Sequence, residues 1–195
     1  MRLFTFIKTR WMLALASGVM TAFLAVSLVP DTRVRAEGGD DAGDESRIRH
    51  GFAINPLPLN LGGRNRALVG LGSYYVNAVS ECVDCHTNFP QYLQNGNPFL
   101  GQPEQINIDN YLRGGRAFPA VDLTGVESPI RSRSLRPENG LPSGLTFAEF
   151  VHVMRDGTDY DHPGRLLQLM PWPTFERMTD RDLLAIYTYL STLPP

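Results

Sequence analysis

The chain has 195 residues, of which 43% are hydrophobic and 19% charged, an ordinary composition for a globular protein. Its formal net charge is −2, but five of its 18 basic residues precede residue 37, and the remainder carries 13 arginines against 19 acidic residues. This acidic remainder argues against nucleic acid as a partner, because phosphate binding relies on clustered positive charge.

The N-terminus has the pattern of an export leader. Arg2, Lys8 and Arg10 precede an uncharged, mostly apolar run of 19 residues, 11–29. Such a run after basic residues is typical of a signal peptide, and its length is also sufficient to span a bilayer. We therefore expect residues 1–36 to be a signal peptide or an N-terminal membrane anchor. The rest of the chain is then periplasmic or lies on the extracytoplasmic face of the membrane.

Composition divides the remainder into two parts. Residues 37–50 are acidic and glycine-rich, which predicts a flexible linker. Residues 51–195 are expected to form one domain, beginning with an extended, proline-containing strap at residues 54–63. Helical periodicity starts near Arg66 and continues to the cysteines. The segment 89–136 is rich in Gly, Pro and Asn, which predicts long loops with room for a small β-hairpin around residues 110–118.

Two further helices are predicted in the last third of the chain. The first begins at Thr146 with Glu149 three residues later, and the second at Thr179 with Asp182, so that both have a capping-box pattern. Met178 is positioned to pack on the first turn of the second helix as a hydrophobic staple. The predicted apolar faces are Phe147, Phe150, Val151 and Met154 on the first helix, and Leu183, Ile186, Tyr187 and Leu190 on the second.

Both cysteines of the chain lie in the segment ECVDCHTN, residues 81–88, and His86 directly follows the second. Structural zinc needs four ligands, yet the chain has no second cysteine pair, and His50, His152 and His162 lack the usual zinc spacing. A thioredoxin-like site belongs to a strand–helix setting, and a disulfide has no use for the histidine. Covalent haem attachment uses all three residues, since each thiol takes one vinyl group and the imidazole reaches the iron. The segment therefore predicts one haem c, bound by Cys82 and Cys85 with His86 as an axial ligand.

Met170 is the preferred second axial ligand. The segment LLQLMPWP places it outside any predicted helix and before two prolines, which hold a segment extended. Among its rivals, Met154 has the pattern of a core residue, Met178 that of a helix staple, and His162 polar surroundings. His152 is expected to face solvent or cap a helix, and His50 completes the set of alternatives.

The segment ECVDCHT, a later MPW and the final MTDRDLLAIYTYLSTLPP together resemble the class I c-type cytochromes of bacteria. They are similar in particular to exported single-haem proteins and to dehydrogenase-linked cytochrome c subunits, over residues 67–194. The resemblance implies an all-α, cytochrome c-like helical fold around one covalent haem, here with long loops and the small β-hairpin as an insertion. It also implies His86 and Met170 as the two axial ligands, and a crossing of the first and last helices at Gly72 and Tyr189.

The expected function is that of a periplasmic one-electron carrier, because two axial protein ligands leave the iron no position for substrate. Its redox partner would be a respiratory dehydrogenase, of which it could be a subunit, or a terminal oxidase. The alternatives are a peroxidase-like haem enzyme and a gas-sensing haem module in which Met170 is labile. No catalytic residue is assigned. Since no lysine follows residue 8, docking would rely on arginines such as Arg131, Arg133 and Arg136, or on an apolar patch.

Overall fold

The computed structural model describes residues 41–88, 96–119 and 130–195, in which helix predominates over strand, compatible with the mostly helical fold that was expected. The α-helices among them are α1 (Asp41–Ile54), α2 (Arg66–Tyr74), α3 (Cys82–His86), α4 (Phe147–Asp156), α5 (Trp172–Phe175) and α6 (Asp180–Leu190). A π-helical turn, Tyr75–Val79, continues α2, and Pro98–Leu100 form a 3-10 turn. The predicted leader, residues 1–36, lies outside the described ranges. Within those ranges no helix has the length and apolar character needed to cross a membrane.

The core is organised by the crossing of α2 and α6. At Gly72 the two helices approach so closely that a Cβ atom would lie 1.9 Å from the carbonyl oxygen of Ala185 and 2.8 Å from the Cβ of Tyr189. Tyr189 is fully buried at this crossing. The expected close approach of Gly72 to Tyr189 on the last helix is confirmed, but the helix that carries Gly72 is α2 and is preceded by α1.

Replacing Gly72 by alanine should lower the free energy of unfolding by about 1–3 kcal/mol, because the added methyl group would overlap the backbone of α6. Denaturant unfolding followed by far-UV circular dichroism measures this change. The control is Ala67→Gly at an exposed position of the same helix, which reports the backbone preference alone. This reverse exchange should lower the free energy of unfolding by about 0.5–1 kcal/mol, because alanine is the better helix former. A Gly72→Ala variant as stable as the native chain would contradict the close crossing.

The starts of α4 and α6 follow the predicted capping boxes. The Thr146 hydroxyl accepts the backbone N–H of Glu149, and the Glu149 carboxylate accepts the N–H of Thr146 at 2.8 Å. Thr179 and Asp182 make the same pair of bonds at the start of α6. The buried face of α6 differs from the prediction at one point: Tyr187 is only half-buried. The fully enclosed residues of α6 include Leu183, Ile186, Tyr189 and Leu190.

The linker expectation is wrong for residues 41–50, which belong to α1. This helix packs closely on α2, since a Cβ atom at Gly51 would lie 1.9 Å from the carbonyl oxygen of Gly70. The buried carboxylate of Asp44 forms an ion pair with Arg181 on α6. Because these contacts come from residues distant in sequence, the acidic, glycine-rich local composition did not reveal the helix.

The strap that follows α1 is confirmed as irregular chain lying on the domain. Leu57 is buried in the core, and the backbone N–H of Asn60 donates to the carbonyl oxygen of Thr192 at 2.9 Å. The strap therefore fixes the C-terminal end of α6 against the segment that leads into α2.

Within the described ranges the strands form two short antiparallel pairs, β1 (Ala117–Phe118) with β2 (Ile130–Arg131) and β3 (Pro137–Glu138) with β4 (Leu141–Pro142). The hairpin expected around residues 110–118 is not formed within that stretch, because β1 lies at its end and takes its partner from the distant β2. The tight hairpin is instead β3–β4. Its turn uses Asn139 and Gly140, with φ of +51° and +81°, the left-handed conformations that a two-residue turn requires.

Candidate functional site

The cysteine–histidine segment forms α3, a short helical turn after the π-helical turn. The chain enters it through Glu81, whose φ of +53° is uncommon for a residue other than glycine and persists where the surrounding structure enforces it. Cys82 and Cys85 are three residues apart on this turn, a spacing that puts side chains on one side of a helix. Both are free thiols and half-buried. The helix thus presents two thiols one turn apart, with His86 directly after the second.

The end of α3 is anchored to the loop that follows the 3-10 turn. The backbone N–H of Gly114 donates to the carbonyl oxygen of His86 at 2.6 Å. The buried hydroxyl of Thr87 accepts the N–H of Leu112 at 3.2 Å. These bonds fix the backbone at His86 and at the residue that follows it.

The His86 ring is oriented by one hydrogen bond, from Nδ1 to the carbonyl oxygen of Arg133 at 2.7 Å. A carbonyl oxygen only accepts, so Nδ1 carries the proton and Nε2 of the neutral ring keeps its lone pair. Burial lowers the pKa of His86, while the Arg133 carbonyl acts in the opposite direction. Burial thus favours the neutral ring. Histidine metal ligands usually have this arrangement: one ring nitrogen binds the metal, and the N–H of the other donates a hydrogen bond to an acceptor such as a backbone carbonyl.

Burial disfavours the thiolate form at both cysteines. Burial, and then the neighbouring Cys85, raise the pKa of the Cys82 thiol to about 12. Burial also raises the pKa of Cys85, against the opposing charge of Arg116. Reactive CxxC pairs have lowered thiol pKa values instead. In the described ranges, no group of three or more His, Cys, Asp and Glu side chains converges as a metal site would.

Met170 lies outside regular helix, as predicted, in the segment that leads into α5. It is half-buried and packs against the main hydrophobic core, as Cys82 does from α3. The backbone N–H of Trp172 donates to the Met170 carbonyl at 2.8 Å, and the Trp172 indole donates to the carbonyl of Leu167 at 3.0 Å. Among the described residues no hydrogen bond joins Met170 to His86 or to either cysteine.

The rival ligands each have another structural role. Met154 is buried on α4, with 3% of its surface exposed, and Met178 packs partly buried against the core. The ring of His162 bonds to Asp159, and that of His152 bonds to Asp156. His50 is exposed and lies edge-on to the ring of Tyr74.

Exposed apolar side chains flank Met170 in sequence. Leu166 is 55% exposed and Leu169 is 48% exposed. Met170, which follows them in the same loop, is half-buried. The face of a porphyrin is apolar, so exposed leucines beside Met170 are compatible with contact to it. The donor set therefore fits haem c in three respects: two thiols at one-turn spacing, a neutral imidazole with a free Nε2, and apolar surface beside a loop methionine. Leu169 was not identified from the sequence.

The three arginines expected to support docking do not share a surface. Arg136 is 4% exposed, and its guanidinium donates to the carbonyl oxygens of Tyr111 at 2.8 Å and Pro194 at 2.9 Å. It therefore ties the loop after the 3-10 turn to the C-terminal end of the chain, and the expectation that it serves docking is wrong. Arg131 is exposed and Arg133 half-buried.

Sequence comparison finds similar proteins among dehydrogenase subunits. Over 124 residues, 63% of this chain, it is 32% identical to the alcohol dehydrogenase (quinone) cytochrome c subunits of Gluconacetobacter polyoxogenes and of Komagataeibacter europaeus. Over 173 residues, 88% of this chain, it is 25% identical to the fructose dehydrogenase cytochrome subunit of Gluconobacter japonicus. The aligned regions cover 21% of the first two relatives and 27% of the third, so the chain spans about a quarter of their length.

No protein-family profile and no solved structure matches the chain. The similarities nevertheless support a dehydrogenase-linked cytochrome c family, in agreement with that part of the sequence-based resemblance.

Proposed function

We propose that the protein is a one-electron carrier with a single covalent haem c, acting as a subunit or close partner of a dehydrogenase. Cys82 and Cys85 would form the thioether bonds, and His86 and Met170 would be the axial ligands. The observation that carries the proposal is the His86 hydrogen bond to the Arg133 carbonyl, 2.7 Å long, on the same short helix as the two thiols. Fixing Nδ1 in this way leaves Nε2 free to bind a metal.

The ligand set decides the chemistry. When bound, haem c supplies reversible one-electron exchange at its iron. Two axial protein ligands leave no position for substrate, which favours electron transfer over the haem-enzyme and gas-sensor alternatives. A neutral thioether as second ligand raises the reduction potential relative to a second imidazole.

The dehydrogenase partner is supported by the similarities to cytochrome subunits of alcohol and fructose dehydrogenases. The leader sequence supports export, so the carrier would work in the periplasm or on the extracytoplasmic face of the membrane. A retained leader would hold it at the membrane, beside a membrane-associated partner.

The test is the spin state of the purified ferric protein, together with its redox titration and its co-purifying partner. A low-spin spectrum, a one-electron titration and a dehydrogenase recovered from membranes in mild detergent are expected. A high-spin ferric protein that binds peroxide, or whose reduced form binds carbon monoxide, without losing a protein ligand would contradict the proposal and favour the enzyme or sensor alternatives.

A further inference from the structure

Arg133 joins two parts of the site through different atoms. Its backbone carbonyl accepts the hydrogen bond from His86, while its Nε donates to the carbonyl oxygen of Ser143 at 3.1 Å. Its Nη1 forms an ion pair with the Asp161 carboxylate. The guanidinium is thus held at two points, and one of them lies on the loop that precedes Met170.

Residues 157–170, called the ligand loop below, are internally ordered. Its base is closed by the bond from Leu167 N–H to the Gly157 carbonyl at 2.8 Å. Its tip is built around the buried carboxylate of Asp159, which accepts the N–H groups of Asp161 at 3.0 Å and His162 at 3.1 Å. The backbone N–H of Asp159 donates to the carbonyl oxygen of Arg165 at 3.2 Å and joins the tip to the base, so that a displacement of Asp161 would move the whole loop.

The base of the ligand loop is also coupled to Met170. The Trp172 indole, which donates to the Leu167 carbonyl, covers Gly157 so closely that a Cβ atom there would lie 2.5 Å from Nε1. Leu167 lies three residues before Met170, and the Met170 carbonyl accepts the N–H of Trp172. The short segment that carries the thioether is therefore held between the loop base and Trp172.

We propose that Arg133 is a positioning residue that holds the ligand loop closed through Asp161, and so keeps Met170 in place, while its carbonyl orients His86. This inference rests on the proposed function, in which Met170 is an axial ligand. The side chain and the carbonyl act independently, because substitution of the side chain leaves the backbone acceptor of His86 unchanged. Arg133 thus links the histidine side of the site to its methionine side.

The ion pair is partly exposed, with 35% of the Arg133 side chain and 55% of the Asp161 side chain accessible to solvent. Such pairs are modest in strength and are weakened by salt. Replacement of Met170 by added imidazole, measured as a rate in the ferric protein, should therefore become faster as ionic strength rises. Asp161→Asn should raise this rate about two- to fivefold at low salt and remove most of its salt dependence.

Two further variants separate positioning from a general loss of structure. Arg133→Lys keeps the positive charge and should retain the salt dependence, whereas Arg133→Gln should behave like Asp161→Asn. The matched control is Glu45→Gln, which removes the exposed carboxylate that pairs with Arg49 on α1 and should leave both the exchange rate and its salt dependence unchanged.

Equal exchange rates and equal salt dependence in the native chain and the Asp161→Asn variant would overturn the inference. Loss of salt dependence in the Glu45→Gln control would also overturn it, because the effect would then belong to surface charge in general. Failure of the proposed function has a different signature: the low-spin spectrum would survive Met170→Ala, and the ligand-loop inference would fall with it.

Discussion

Substitution of both Cys82 and Cys85 by alanine is expected to leave the exported chain without covalently bound haem, and either single substitution should sharply reduce attachment. Each thiol supplies one thioether, and their one-turn spacing on α3 serves both vinyl groups of one porphyrin. Haem retained per chain after acid–acetone extraction and denaturing electrophoresis measures the effect. Because the apo-chain should be poorly ordered, the ratio of haem to protein is compared rather than the yield.

Ser80→Ala is the matched control for the cysteine variants. Its hydroxyl lies two residues before Cys82, is buried and has no hydrogen-bond partner among the residues that the structure describes, so removing it breaks none of their hydrogen bonds. Haem content should therefore equal that of the native chain. Retention of haem by the double cysteine variant after denaturation would show that attachment does not run through these thiols.

Met170→Ala is expected to convert the ferric protein from low spin to high spin, or to admit a replacement ligand, and in both cases to lower the reduction potential. A neutral thioether ligand favours Fe(II), so its loss lowers the reduction potential. Optical and electron paramagnetic resonance spectra report the spin state, and a redox titration reports the potential. The Arg133 carbonyl bond to His86 should persist, since the substitution lies on a different segment.

The other two methionines of the domain are the controls. Met154 is buried on α4, so Met154→Ala should cost about 2–5 kcal/mol of unfolding free energy without changing the spin state. Met178→Ala, at a half-buried position, should cost less and also leave the spectrum unchanged. An unaltered low-spin spectrum and potential in Met170→Ala would remove Met170 from the ligand set.

Local rules predicted the parts of the fold that depend on neighbours in sequence. The capping boxes at Thr146 and Thr179 are short-range hydrogen-bond patterns, and they appear as expected. The contact of Gly72 with α6 was available from the family resemblance, since it requires a small residue opposite an aromatic one. The CxxCH segment was recognisable because its chemistry is confined to five residues.

The remaining features depend on contacts between distant segments. α1 was mistaken for a linker because its stability comes from Gly51 against Gly70 and from Asp44 with Arg181, none of which local composition reveals. The burial of Arg136 depends on carbonyl groups of Tyr111 and Pro194. The acceptor for His86 is a backbone carbonyl, a group that every residue has, so no side-chain pattern could identify Arg133.

The most direct test of the account is the intact mass of the protein after export, acid–acetone extraction and denaturation. A chain with one thioether-bound haem should have the mass of the processed or unprocessed polypeptide plus one haem group, and reduction of disulfides should leave this mass unchanged. A polypeptide mass without haem, or one lower by two hydrogens that reduction restores, would contradict the account and leave Cys82 and Cys85 as free thiols or a disulfide.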